Sequence, residues 1–74
     1  MSTITLNSEL AGTVWKIVTE VGASLEEDDP VLILESMKME IPALMPEDGT
    51  VVKILVSEGD MISDGQPLAE IELS

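Results

Sequence analysis

Cysteine and histidine are both absent from the 74 residues. The first absence excludes disulfides and thiolate metal sites, and the second removes the side chain that most often ligates zinc and moves protons near neutral pH. Aromatic residues are reduced to Trp15 alone, so the core has to be built from Val, Ile, Leu and Met. Positive charge is scarce too: three lysines stand against fifteen acidic residues, for a formal net charge of −12. Such a surface repels nucleic acid and anionic lipid, because binding either requires phosphates to be neutralised by Lys or Arg. It keeps a small domain dispersed and steers it toward basic surfaces on partner proteins. The chain begins Met1-Ser2-Thr3-Ile4-Thr5, without a basic segment or a long apolar run, which predicts neither secretion nor membrane insertion and a cytoplasmic location. At this length a single domain over residues 1–74 is expected, burying about 60% of its unfolded surface and stable by roughly a few kcal/mol.

What the chain does contain is β-forming sequence punctuated by turns. Thr3-Ile4-Thr5-Leu6 reads as an opening strand that Asn7-Ser8 ends; Thr13 through Val21 reads as a longer one turned by Gly22-Ala23-Ser24, with Leu25 in a brief third. Glu26-Glu27-Asp28-Asp29-Pro30 and Met45-Pro46-Glu47-Asp48-Gly49 are turn clusters, and Thr50 through Ser57 is a further strand. No segment has a sustained apolar period of 3.6, which argues against any substantial helix.

The second half repeats the first. With an offset of 37 positions, residues 12 to 35 align without a gap on 49 to 72, with identities at Gly12/Gly49, Thr13/Thr50, Val14/Val51, Lys16/Lys53, Ile17/Ile54, Gly22/Gly59, Pro30/Pro67 and Glu35/Glu72. Average residue usage would give roughly two such matches. Asp28 takes the place of Gly65, and Asp tolerates the left-handed region, so the two turns are expected to share a backbone shape. A half this small cannot bury its own apolar face, so the copies should pack about a pseudo-two-fold axis. The expected fold is all-β: a flattened barrel-sandwich hybrid of two small antiparallel sheets, about 10 Å apart.

Between the copies lies Val31-Leu32-Ile33-Leu34-Glu35-Ser36-Met37-Lys38-Met39-Glu40-Ile41-Pro42, which reads as two strands folding back around Met37-Lys38. A two-residue hairpin turn needs positive φ at its central positions and normally has Gly, Asn or Asp there, not Met and Lys. With that tip, Ser36 faces Met39, Glu35 faces Glu40 and Leu34 faces Ile41, which sets like charges opposite one another. Two local rules broken within six residues mark a candidate functional site.

The run Glu35-Ser36-Met37-Lys38-Met39-Glu40 resembles the biotin-attachment motif of biotinyl carrier domains, and the flanking pattern extends the resemblance from about Ala11 through Glu72. Most members of that family have Ala where this chain has Ser36. The resemblance implies the two-sheet architecture, biotin joined by an amide to Lys38, and a biotin protein ligase that makes biotinyl-adenylate from ATP before the lysine attacks the activated carbonyl. A lysine amine is protonated at neutral pH and a poor nucleophile unaided, so the ligase has to deprotonate it while the carrier only presents it. It further implies a swinging arm serving a biotin carboxylase and a carboxyltransferase, with no catalysis by the carrier itself.

Met37 and Met39, flexible thioethers at a tip with little core to join, are assigned to recognition by the ligase. Glu35 and Glu40 read as solvated hairpin residues or as contacts to a ligase or carboxylase. Trp15 is assigned to core packing, with an exposed edge as the other reading. Lys16 and Lys53 sit at equivalent strand positions, whereas Lys38 aligns with position 75 or, stepping back, with Met1. The hairpin and the paired termini should therefore lie at opposite ends, so that a group on Lys38 projects away from any tether. A lipoyl carrier is the nearest rival, although lipoyl motifs more often have Asp before the lysine and Ala after it. An unmodified β-domain interaction module is the other alternative, and it would need no tip lysine. No thumb-like insertion of the kind found in some bacterial acetyl-CoA carboxylase carriers separates the Trp15 strand from the hairpin.

Overall fold

Alternating β-branched and aliphatic residues produce eight strands and no helix in the computed structural model, which describes residues 2–74. Met1, aligned with Lys38 by the repeat, lies outside the described residues. The strands are β1 (Thr3–Asn7), β2 (Gly12–Ile17), β3 (Ser24–Leu25), β4 (Pro30–Ser36), β5 (Met39–Leu44), β6 (Gly49–Ile54), β7 (Met61–Ile62) and β8 (Pro67–Leu73). They form two four-stranded antiparallel sheets, ordered β1-β8-β6-β3 and β5-β4-β2-β7.

Shifting residue numbers by 37 turns one sheet into the other. The pair Thr3↔Glu72 becomes Glu40↔Glu35, and Ile4↔Ile71 becomes Ile41↔Leu34. Bonds between elements repeat as well: Val18 N–H donates to Val31 O and Leu55 N–H to Leu68 O, while Gly22 N–H donates to Val51 O and Gly59 N–H to Val14 O. Asp28 and Gly65 share positive φ, 71° and 84°, and their N–H groups donate to equivalent carbonyls elsewhere in the chain, those of Met45 and Ser8. Each sheet draws two strands from each half of the chain, so neither half completes a sheet alone.

The core lies between the sheets. Val14, Val31, Leu32, Leu34, Met45, Val51, Leu68, Ala69 and Ile71 are each no more than 2% exposed. Burying an aliphatic side chain of this kind contributes about 1.5–3 kcal/mol, which gives a chain without disulfides its cohesion.

Three expectations are corrected. The strand expected over Thr50 through Ser57 ends at Ile54. The second strand ends at Ile17, not Val21, because residues 18–23 cross to the opposite sheet, where Gly22 N–H and Ala23 O bond to Val51. Trp15 is not a core residue; it is 44% exposed. The register of β2 on β4 slips between Val14 and Lys16, which leaves Trp15 as the extra residue of a bulge and turns it outward. Its mate Val52 sits at the same slip in β6 and is also exposed.

Ser2 and the C-terminal residues meet at one pole. Leu73 N–H donates to Ser2 O at 2.8 Å, Ser74 N–H donates to Asp48 O at 3.1 Å, and Glu27 N–H donates to the Asp48 carboxylate at 2.8 Å. From beside Glu27, β4 runs away for seven residues, about 20 Å at ~3.3 Å per residue. The β4–β5 turn therefore stands at the opposite pole of a body whose long dimension is 36 Å.

Candidate functional site

The hairpin forms in the expected register, with Leu34↔Ile41, Glu35↔Glu40 and Ser36↔Met39. Two residues remain for the turn, Met37 at φ 53° and Lys38 at φ 64°. Positive φ at both positions is the type I′ signature, which matches the right-handed twist of the strands. For residues with a Cβ it costs about 1–2 kcal/mol each. The only other non-glycine residue among those described with positive φ is Asp28, whose side chain suits that region. The strain at Met37-Lys38 is held by the hairpin shaft, where Val31, Leu32 and Leu34 are locked in the core.

Every side chain of the turn points to solvent. Met37 is 91% exposed, Met39 61%, and Lys38, Glu35 and Glu40 are exposed as well, while Ser36 is half-buried. Glu35 and Glu40, directly opposite, share the outward face of the sheet below the turn. Lys16 and Lys53 lie inside strands; Lys16 stacks its ammonium 5.4 Å from the Trp15 ring centroid. Lys38 alone stands on a turn.

One supporting residue escaped the sequence reading. Gly12 sits against the hairpin where Thr13 pairs with Glu35, and a Cβ on it would run into the Glu35 carbonyl oxygen. Its mate Gly49 meets the Glu72 carbonyl oxygen in the same way, at 2.6 Å from an added Cβ. The signal was the Gly12/Gly49 identity; the structure places both residues in strands, and Gly49 not in the turn cluster where the sequence put it.

Among the described residues no group of three or more acidic side chains is placed to hold a metal ion, and no helix is long and apolar enough to cross a membrane. What the site offers is one exposed primary amine on a lysine whose backbone is held in a strained turn.

A family model described as "Biotin-requiring enzyme" matches residues 3–71. The chain is 38% identical over 71 residues to a biotin/lipoyl attachment protein of Bacillus subtilis, covering 96% of this chain and 97% of that protein. It is 39% identical over 66 residues to a biotinylated protein of Mycobacterium leprae, covering 89% of this chain and 93% of the other. A solved structure of urea carboxylase from Kluyveromyces lactis superposes with a TM-score of 0.92 at 39% identity, over 97% of this chain and 6% of that one. The chain thus spans nearly the whole of two small relatives and a small part of the large carboxylase.

Proposed function

This chain belongs to the biotin/lipoyl attachment family, and we propose that within it the chain is a biotin carboxyl carrier whose attachment site is Lys38. The observation that carries this reading is the strained Met37-Lys38 turn, which displays an amine between two exposed methionines at the pole farthest from the chain ends. The residues fit the cofactor. An amide to biotin needs an accessible primary amine and room for a long arm, and Lys38 has both.

Biotin attached there supplies the chemistry of carrying a carboxyl group between two active sites. The chain itself presents, orients and tethers. The β4–β5 shaft fixes the origin of the arm, and the positive-φ turn lifts the lysine stem clear of both sheets. Acylation joins the Lys38 nitrogen to the activated carbonyl, releases AMP from the adenylate, and passes the amine proton to a base on the ligase. The partners of this reading are a biotin protein ligase, a biotin carboxylase and a carboxyltransferase, with no catalytic group contributed by the carrier.

Incubation with a biotin protein ligase, ATP and biotin, followed by intact-mass measurement, tests it. The expected result is one biotin per wild-type chain, retention of labelling in Lys16→Arg and Lys53→Arg, and none in Lys38→Arg. Labelling of Lys38→Arg would remove the site assignment, and a lipoyl adduct alone on protein isolated from cells would replace biotin by its nearest rival.

A further inference from the structure

Because the two sheets are copies, every outward position on the sheet bearing Lys38 has a counterpart 37 residues away in the same backbone setting. On the Lys38 sheet, Ile33 pairs with Pro42 on one side and Lys16 on the other; Trp15 is turned out by its bulge, and Met61 opposes Thr13. The counterparts on the other sheet are Glu70 for Ile33, Thr5 for Pro42, Val52 for Trp15 and Ser24 for Met61. At all four places the Lys38 sheet holds the more apolar or the larger apolar residue.

Packing does not require this, since Met61 is 86% exposed and Trp15 is 44% exposed. Scattered apolar residues on a surface need no explanation, but here they gather on one face, while of the four counterparts only Val52 is apolar. The face also runs directly into the hairpin: Glu40, Glu35, Thr13 and Met61 form one row across the four strands, just below the turn. Lys16 lies among these residues, paired with Ile33 and stacked on Trp15, so the face is an apolar patch crossed by one lysine stem, with Glu35 and Glu40 on the hairpin side. It fits a partner surface that is apolar and carries basic side chains toward the hairpin.

We propose that this face, centred on Ile33, Trp15 and Met61, is the docking surface for the biotin-attaching ligase. The inference rests on the attachment reading above. An enzyme that takes the Lys38 amine into its active site approaches from the hairpin pole and meets the continuous face, not its copy. The occupant is the ligase because it must recognise the chain before modification, whatever else the chain is joined to. At that stage there is no biotin to be gripped, so the protein surface supplies the affinity.

The test is steady-state labelling by a purified biotin protein ligase with ATP and biotin, over a range of carrier concentration. The variant Ile33→Glu/Trp15→Val/Met61→Ser imports the residues of the copy, and urea titration reports whether it is folded. KM for the carrier is expected to rise at least tenfold with kcat changed less than twofold, whereas Ser24→Met/Val52→Trp on the other sheet leaves both unchanged. Should the triple variant be unfolded, Trp15→Val/Met61→Ser alters only exposed positions and is expected to raise KM at least threefold. A folded variant with wild-type KM overturns the docking face and leaves the attachment reading intact. Wild-type protein that takes no biotin overturns both.

Discussion

Glu35 and Glu40 stand directly across from each other on β4 and β5, side chains on the same exposed face, in the second rung from the Met37-Lys38 turn. In the other sheet the equivalent rung pairs Glu72 with Thr3. The repulsion is therefore peculiar to the hairpin. Opposed like charges destabilise a ladder by about 0.2–1 kcal/mol, so Glu40→Gln is expected to raise the unfolding free energy by an amount in that range, read as a higher urea midpoint at unchanged m-value. The gain should shrink as salt is added, which comparison of titrations at low and high ionic strength would read directly.

The turn stores more energy than the rung. Met37→Asn with Lys38→Gly restores residues that accept positive φ, and is expected to stabilise the fold by about 1–2 kcal/mol. Biotin labelling should disappear at the same time. Denaturant unfolding and intact mass on one preparation would show a better-folded protein that has lost its function.

Gly12 and Gly49 are equivalent by the repeat but stand at opposite poles. An added methyl group meets backbone at both, and each Ala variant is expected to lose about 1–3 kcal/mol. Only Gly12→Ala displaces the Glu35 carbonyl beneath the hairpin, so it alone should slow labelling of the folded fraction. Equal labelling rates for the two folded variants would contradict the role given to Gly12.

A net charge of −12 on 74 residues makes the folded state self-repelling. The melting temperature is expected to rise by several degrees as sodium chloride increases from about 10 mM to 500 mM, over which the screening length falls from roughly 30 Å to less than 10 Å. Calorimetry at fixed pH would measure it.

Leu32 is fully buried, and Leu32→Ala is expected to cost about 2–5 kcal/mol, much of what a domain of this size possesses. Labelling should fall in proportion to the unfolded fraction and recover in a stabilising osmolyte. That recovery would separate loss of fold from loss of recognition.

Much of this was legible in the chain because the repeat states each local signal twice. The offset of 37 anticipated the paired sheets and the shared turn at Asp28 and Gly65, and the run Glu35 through Glu40 anticipated the two-residue turn at Met37-Lys38. What escaped was non-local. Where β2 ends depends on Val51 in the opposite sheet accepting the crossing chain, and Trp15 faces out because of a bulge that neither its hydrophobicity nor its neighbours reveal. β7 is only two residues long and has no signal of its own; Met61 acquires meaning only once it is seen to lie across from Thr13.

The bond from Leu73 N–H to Ser2 O occupies the rung that Ser36 and Met39 occupy at the hairpin. A two-residue link between those strands would thus convert the molecule into a cyclic polypeptide with matching crowns. Written as Met-Lys, that link would furnish a second acceptor, giving a double-headed carrier from one fold, and opening the ring at the original crown would yield a permuted form with the acceptor moved to the other end.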